Sequence, residues 1–135
     1  MNFVPYLNFN GDCREAFEHY REVFGSGAVT YTTHGEIGIP GISEEWKEKI
    51  MNAQMVVGDQ MLMGSDVPPD TYTPTASTWV SIMVDTAEEA DRIYTELSDG
   101  GNIMMPIGEQ PWASRFAMFS DRHGVLWMVN TNPPS

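Results

Sequence analysis

An α+β fold of two βαβββ modules is predicted, with curved mixed sheets and helices outside, around a shared open cup. A stretch reading strand, short loop, capped helix and glycine stop occurs twice, over residues 4–27 and 79–101, about 74 residues apart. Asp12 matches Thr86, Glu15 matches Glu89, Ala16 matches Ala90, Tyr20 matches Tyr94 and Val23 matches Leu97. The match extends to the module ends, where Ala53 pairs with Ala117 and Leu62 with Leu126 at an offset of 64. A Pro- and Thr-rich stretch, residues 67–77, separates the copies and reads as a linker. A repeat this long reports architecture, because each unit is a supersecondary module that buries its apolar face against the other. The expected boundaries are module one over 1–66, the linker over 67–77 and module two over 78–135 of a single domain.

Residues 3–9 alternate and read as a strand. Asp12 precedes Glu15 by the capping-box spacing that opens a helix, and Ala16, Phe17, Tyr20, Val23 and Phe24 follow at helical spacing. Gly25 and Gly27 stop it. The β-branched and aromatic run 28–34 is a strand, and the segment after it, GEIGIPGIS, is a loop. Ser43 caps a short helix through Lys49. Strands over 50–57 and 60–65 flank the Gly58-Asp59 turn, a strong hairpin signal. In module two a strand over 78–84 leads to Thr86 and Glu89, a stricter capping box, and to a helix ending at Leu97 or Ser98 before Asp99-Gly100-Gly101. Strands near 102–107, 113–119 and 125–131 close the chain, the last two joined by the turn 121–124.

The 135 residues fit one domain or two small modules sharing a core. The formal charge of −12, with only 7 basic residues, argues against nucleic acid, whose phosphates demand Lys and Arg, and against an anionic membrane surface. No apolar run approaches the ~18 residues of a membrane span, and no signal peptide is visible, so the cytoplasm is expected. A single cysteine, Cys13, excludes an intrachain disulfide and a cysteine-based zinc cluster. It reads as a small half-buried residue, although the start of a helix can also lower a thiol pKa.

Three segments carry a family resemblance: YLNFNGDCREAFEHYREVFG (6–25), VVGDQMLMGSD (56–66) and FSDRHGVLWMVN (119–130). With this element order the chain resembles the vicinal oxygen chelate superfamily of glyoxalase I, extradiol dioxygenases and bleomycin-resistance proteins. It resembles most the PhnB-like branch, often labelled 3-demethylubiquinone-9 3-methyltransferase. The superfamily hosts many chemistries on one scaffold. The methyltransferase label finds little support in the residues: a donor-binding Gly-rich turn joins a strand to a helix, whereas Gly25-Ser26-Gly27 follows a helix.

The resemblance implies a divalent metal held by His and Glu on the first and last strands of each module. Those positions fall near Val4, Gly64, Trp79 and Met128, and one residue away at Pro5, Met63, Ser65, Val80 and Val129. None is an imidazole or a carboxylate, and thioethers favour soft ions such as Cu(I). A His-Ala pair frequent on the third strand of the branch reads Asn52-Ala53 here. His19, His34 and His123 lie on a helix, at a strand end and in a turn, where surface or hydrogen-bonded roles are the ordinary ones. No metal ligand and no cofactor is therefore expected, and no catalytic residue is assigned.

The cup is expected to be lined by Tyr6, Asn8, Asn52, Trp79 and Trp127, with Met128 among several strand methionines that include Met55, Met61, Met63, Met83 and Met118. Such a lining suits an apolar or aromatic small molecule. It equally suits a methionine-filled core. Arg115 offers a fork to an anion, or a partner for a neighbouring acid. Tyr6, Asn8, Asn52, Trp79, Arg115, Trp127 and Met128 are thus the candidate ligand-binding residues. The leading reading is a PhnB-like protein without the usual metal ligands, binding a small molecule in the inter-module cup and forming a homodimer by analogy. The alternatives are a metal-dependent lyase, isomerase or dioxygenase with displaced ligands such as Asn52, His34 and Glu36, and a dimeric interaction module.

Overall fold

The computed structural model describes residues 1–26 and 28–132. The chain falls into two compact units, one over Met1–Thr73 and one from Pro74 onward. The first holds strand β1 (Tyr6–Phe9), helix α1 (Cys13–Phe24), β2 (Val29–Thr33), a one-turn helix α2 (His34–Ile37), a 3-10 turn (Trp46–Glu48), β3 (Ile50–Val57) and β4 (Gln60–Asp66). The second holds β5 (Val80–Met83), α3 (Ala87–Ser98), β6 (Asn102–Gln110), β7 (Ala113–Ser120) and β8 (Leu126–Asn130). Each unit has one open four-stranded sheet, ordered β1-β4-β3-β2 in the first and β5-β8-β7-β6 in the second. β1 runs parallel to β4 and β5 parallel to β8, and the remaining pairs are antiparallel. The expected α+β class and the βαβββ succession of each unit are therefore observed, with α2 and the 3-10 turn added between β2 and β3 of the first. Among the described residues no helix is long and apolar enough to cross a membrane.

The helices form where the apolar spacing places them. Ala16, Phe17, Tyr20 and Val23 of α1 are buried, as are Ala90, Ile93 and Leu97 of α3. Gly25 ends α1 in the left-handed conformation at φ 69, which a residue without Cβ adopts at no steric cost. The second expected stop, Gly27, lies outside the described residues. Thr86 caps α3, its Oγ1 accepting from Glu89 N at 3.1 Å.

Two expectations are corrected at helix starts. Asp12 occupies the N-cap of α1 but its side chain makes no capping bond. That role falls to Asp66 at the end of β4, whose Oδ1 accepts from Gly11 N at 3.0 Å and Cys13 N at 2.9 Å. Its Oδ2 accepts from Ile50 N at 2.9 Å. A carboxylate buried to 2% exposure is thus satisfied by three backbone donors, the condition under which burial of a charge is tolerated. The second correction is α2, which replaces the start of the expected loop. Thr33 Oγ1 accepts from Glu36 N and the Glu36 carboxylate returns to Thr33 N, a complete capping box.

The repeat holds residue for residue between α1 and α3 but slips in the last strand. Met55 lies opposite Leu62, whereas Phe119, its counterpart at the offset of Ala53 and Ala117, lies opposite Trp127 and not Leu126. The turn from β7 to β8 is longer than the Gly58-Asp59 turn. Asp121 ties it down: Oδ1 accepts from His123 N at 2.8 Å and Val125 N at 3.0 Å, and Oδ2 from Trp127 Nε1 at 2.9 Å. A one-residue slip moves every side chain of a strand to the other face, and this slip decides where Trp127 points.

Candidate functional site

Strand alternation gives each sheet a helix-facing side and an opposite side. In the first unit Phe9 and Phe17 meet edge to face at 6.1 Å, which places Phe9 against α1. A Cβ at Gly64 would come within 2.7 Å of Phe17 Cε1 and 2.8 Å of Leu7 O, so the ring of Phe17 fills the space that Gly64 leaves. Ala53 lies opposite Gly64, and Tyr31 opposite Ala53. Tyr31 accordingly donates to Glu18 of α1 and lies 4.5 Å beneath Arg14. Its burial, and then the bond to Glu18, push the phenol pKa up.

The opposite side of that sheet carries Tyr6, Asn8, Asn52, Gln54, Met63 and Ser65. Tyr6 lies opposite Met63 and Asn8 opposite Ser65. Ser65 Oγ donates to Asn8 Oδ1 at 3.2 Å, Gln54 Nε2 to Asn52 Oδ1 at 3.1 Å, and Asn52 Nδ2 reaches Tyr6 OH at 3.4 Å. Three candidates, Tyr6, Asn8 and Asn52, are thus brought onto one face. Gln54 and Ser65 join them. Both were legible in principle, because Gln54 is two residues from Asn52 and alternation puts the pair on one side.

In the second unit Phe119 meets Tyr94 of α3 edge to face at 5.8 Å, which fixes the helix-facing side. Trp127, directly opposite Phe119, shares that side at 1% exposure. The expectation that Trp127 lines a cup is therefore corrected: the ring belongs to the core of its own unit. Arg115, an even step from Phe119, also turns toward α3, and its Nε donates to Asp91 Oδ1 at 3.1 Å. That is the neighbouring-acid alternative, and it commits the guanidinium to a structural pair. The opposite side presents Ser81, Met128, Met118 and Met105 in one cross-strand row. Asn130, beside that row, donates from Nδ2 to Ser81 Oγ at 2.9 Å. Trp79 is half-buried immediately before β5.

Charge is nearly absent from these strands. Asp66, Glu109 and Arg115 are their only acidic or basic residues, and Asp66 and Arg115 are bound to groups on the helix side. Glu109 is exposed near the end of β6, and in a chain of charge −12 the sides away from the helices are built mainly of amides, hydroxyls, thioethers and apolar groups.

The comparisons place this arrangement. The family model described as 3-demethylubiquinone-9 3-methyltransferase matches residues 1–130. The chain belongs to that family. It is 42% identical to protein PA1353 from Pseudomonas aeruginosa, with TM-score 0.87 over 98% of both chains. A PhnB protein from Bacillus cereus aligns with TM-score 0.74 at 23% identity, over 97% of this chain and 99% of that one. A glyoxylase/bleomycin resistance protein/dioxygenase domain from Frankia sp. EAN1pec aligns with TM-score 0.64 at 13% identity, over 98% and 97%. The last two likenesses are of fold. The chain is thus a member of that family with the fold of a glyoxylase/bleomycin resistance protein/dioxygenase domain.

The divalent metal that this fold implies does not fit the residues present. Of the implied positions, Gly64 faces Phe17, and Met63, Ser65 and Met128 supply a thioether, a hydroxyl and a thioether. The displaced set is held locally: His34 Nε2 lies 3.0 Å from Asp66 O, and the Glu36 carboxylate is committed to its capping box. Among the described residues no group of three or more His, Cys, Asp or Glu side chains is placed to hold a metal. Cys13 is fully buried, and desolvation, then the nearby Asp66, drives its thiol pKa far up. Burial overrides the helix start.

Proposed function

We propose that this PhnB-like chain binds an uncharged small molecule, apolar or aromatic, on the side of the first unit's sheet turned away from its helix. The neutrality of that side carries the reading. An ionised organic ligand laid on it would lose water and gain no counter-charge, a cost that uncharged ligands escape. Tyr6, Asn8, Asn52, Gln54 and Ser65 offer oriented hydrogen bonds, the Tyr6 ring offers a flat apolar face, and Met63 opposite it supplies adaptable apolar surface. Trp127 and Arg115 leave the list of ligand contacts, since each is engaged on the helix side.

The test is calorimetric titration with two probes of one shape, 2-naphthamide and 2-naphthoate. The amide is expected to bind and the carboxylate to bind at least tenfold more weakly. Asn52→Asp places a charge on the face and should weaken the amide about tenfold, which corresponds to ~1.4 kcal/mol. Equal or tighter binding of the carboxylate contradicts the reading, as does amide affinity unmoved by Asn52→Asp.

A further inference from the structure

The cross-strand row of the second unit has a chemistry beyond apolar packing. Met118 of β7 lies directly opposite Met128 of β8 on one side and Met105 of β6 on the other. In a regular ladder directly opposite residues hold their Cβ atoms about 5 Å apart, the case for Met118 and Met128, within the reach of a three-bond side chain; Met105 pairs with Met118 between two register irregularities of β6. All three side chains are half-buried, unlike Met55, which is locked in the core at 1% exposure. The Met105 sulfur is oriented by Gln110, whose Nε2 lies 3.9 Å from Sδ. No carboxylate, imidazole or thiol stands in the row.

We infer that Met105, Met118 and Met128 form a thioether site for a soft monovalent cation, Cu(I). Three neutral sulfurs suit a polarizable d10 ion, and they discriminate against hard divalent ions that require oxygen or nitrogen. The step is coordination alone, with no electron transferred. Ser81, opposite Met128 on the far side, ends the row with a hydroxyl that is a poor ligand for such an ion. The chain's single thiol, Cys13, is in the other unit and fully buried.

The test uses the whole, reduced chain without oxygen, with Cu(I) supplied as its bicinchoninate complex. The protein is expected to withdraw one equivalent from the chelator. Met118→Leu with Met128→Leu, which keeps side-chain volume and removes sulfur, should weaken that withdrawal at least tenfold while circular dichroism reports an unchanged fold. Cys13→Ala should leave it unchanged. As a second readout, Ag(I) added to protein labelled at the methionine methyls should shift the signals of Met105, Met118 and Met128 before the others. Failure to withdraw Cu(I), retention in the double leucine variant, or Ag(I) shifts confined to other methionines would each overturn the assignment. The readout involves no naphthalene probe, so its failure is separate from failure of the small-molecule reading.

Discussion

Trp127 shows how much one residue's position depends on register. Its indole sits on the helix side of β8, opposite Phe119, with Nε1 donating to the buried Asp121 carboxylate at 2.9 Å. A tryptophan near the end of a repeat reads from sequence as a wall of the cup. The extra turn residues before it reverse that, and nothing in the Leu62–Leu126 match reveals them. Trp127→Ala is therefore expected to act on stability: truncating a buried tryptophan costs about 3–5 kcal/mol, read as a fall in the urea midpoint. Any soluble remainder should bind 2-naphthamide with affinity within twofold of the parent. Arg115 was legible as an ion-pair partner because the chain is so acidic. Its partner Asp91 required the fold. That Tyr6 and Asn8 share a side was legible through alternation within one strand, whereas Asn52 joins them only through the register of β1, β4 and β3.

Elements were read more surely than their terminal contacts. The apolar spacing of α1 and α3 and the Gly58-Asp59 turn are local signals, and the structure places these elements within a residue or two of the reading. α2 was missed although Thr33 and Glu36 have the capping-box spacing, because the β-branched run before them continues the strand pattern up to His34. The cap of α1 was misassigned for a different reason. Asp66 is 53 residues from Cys13, so no window along the chain links them. This carboxylate joins the start of α1, the start of β3 and the end of β4 through three backbone donors. Asp66→Asn replaces an acceptor with a donor facing at least one of those N–H groups. Losing hydrogen bonds to a buried charge should cost about 2–3 kcal/mol, visible as a lower urea midpoint with an unchanged slope. A midpoint within experimental error of the parent would show that the three bonds do not hold these elements together.

At the scale of the molecule, the internal repeat is the feature that most constrained the fold, and it left the chemistry open. Both units have the same strand order and a twelve-residue helix, yet the sides of their sheets away from those helices differ. The first presents amides and hydroxyls, and the second a row of thioethers. The repeat conceals this divergence because its strongest matches, such as Ala16 with Ala90 and Val23 with Leu97, are core positions. The sparing of the strands from charge is what unites the two sides, and it is visible only after strands are separated from helices and loops. Acidic residues crowd the helices and turns, so the formal charge of −12 lies mostly there and not on the candidate site. The most direct test is where an uncharged ligand lands, observed through the side-chain amide signals of 15N-labelled protein titrated with 2-naphthamide. The signals of Asn8, Asn52 and Gln54 should shift together and saturate together, and 2-naphthoate at the same concentration should leave them in place. Shifts confined to residues of α1 or α3, with those three amides unmoved, would contradict the account.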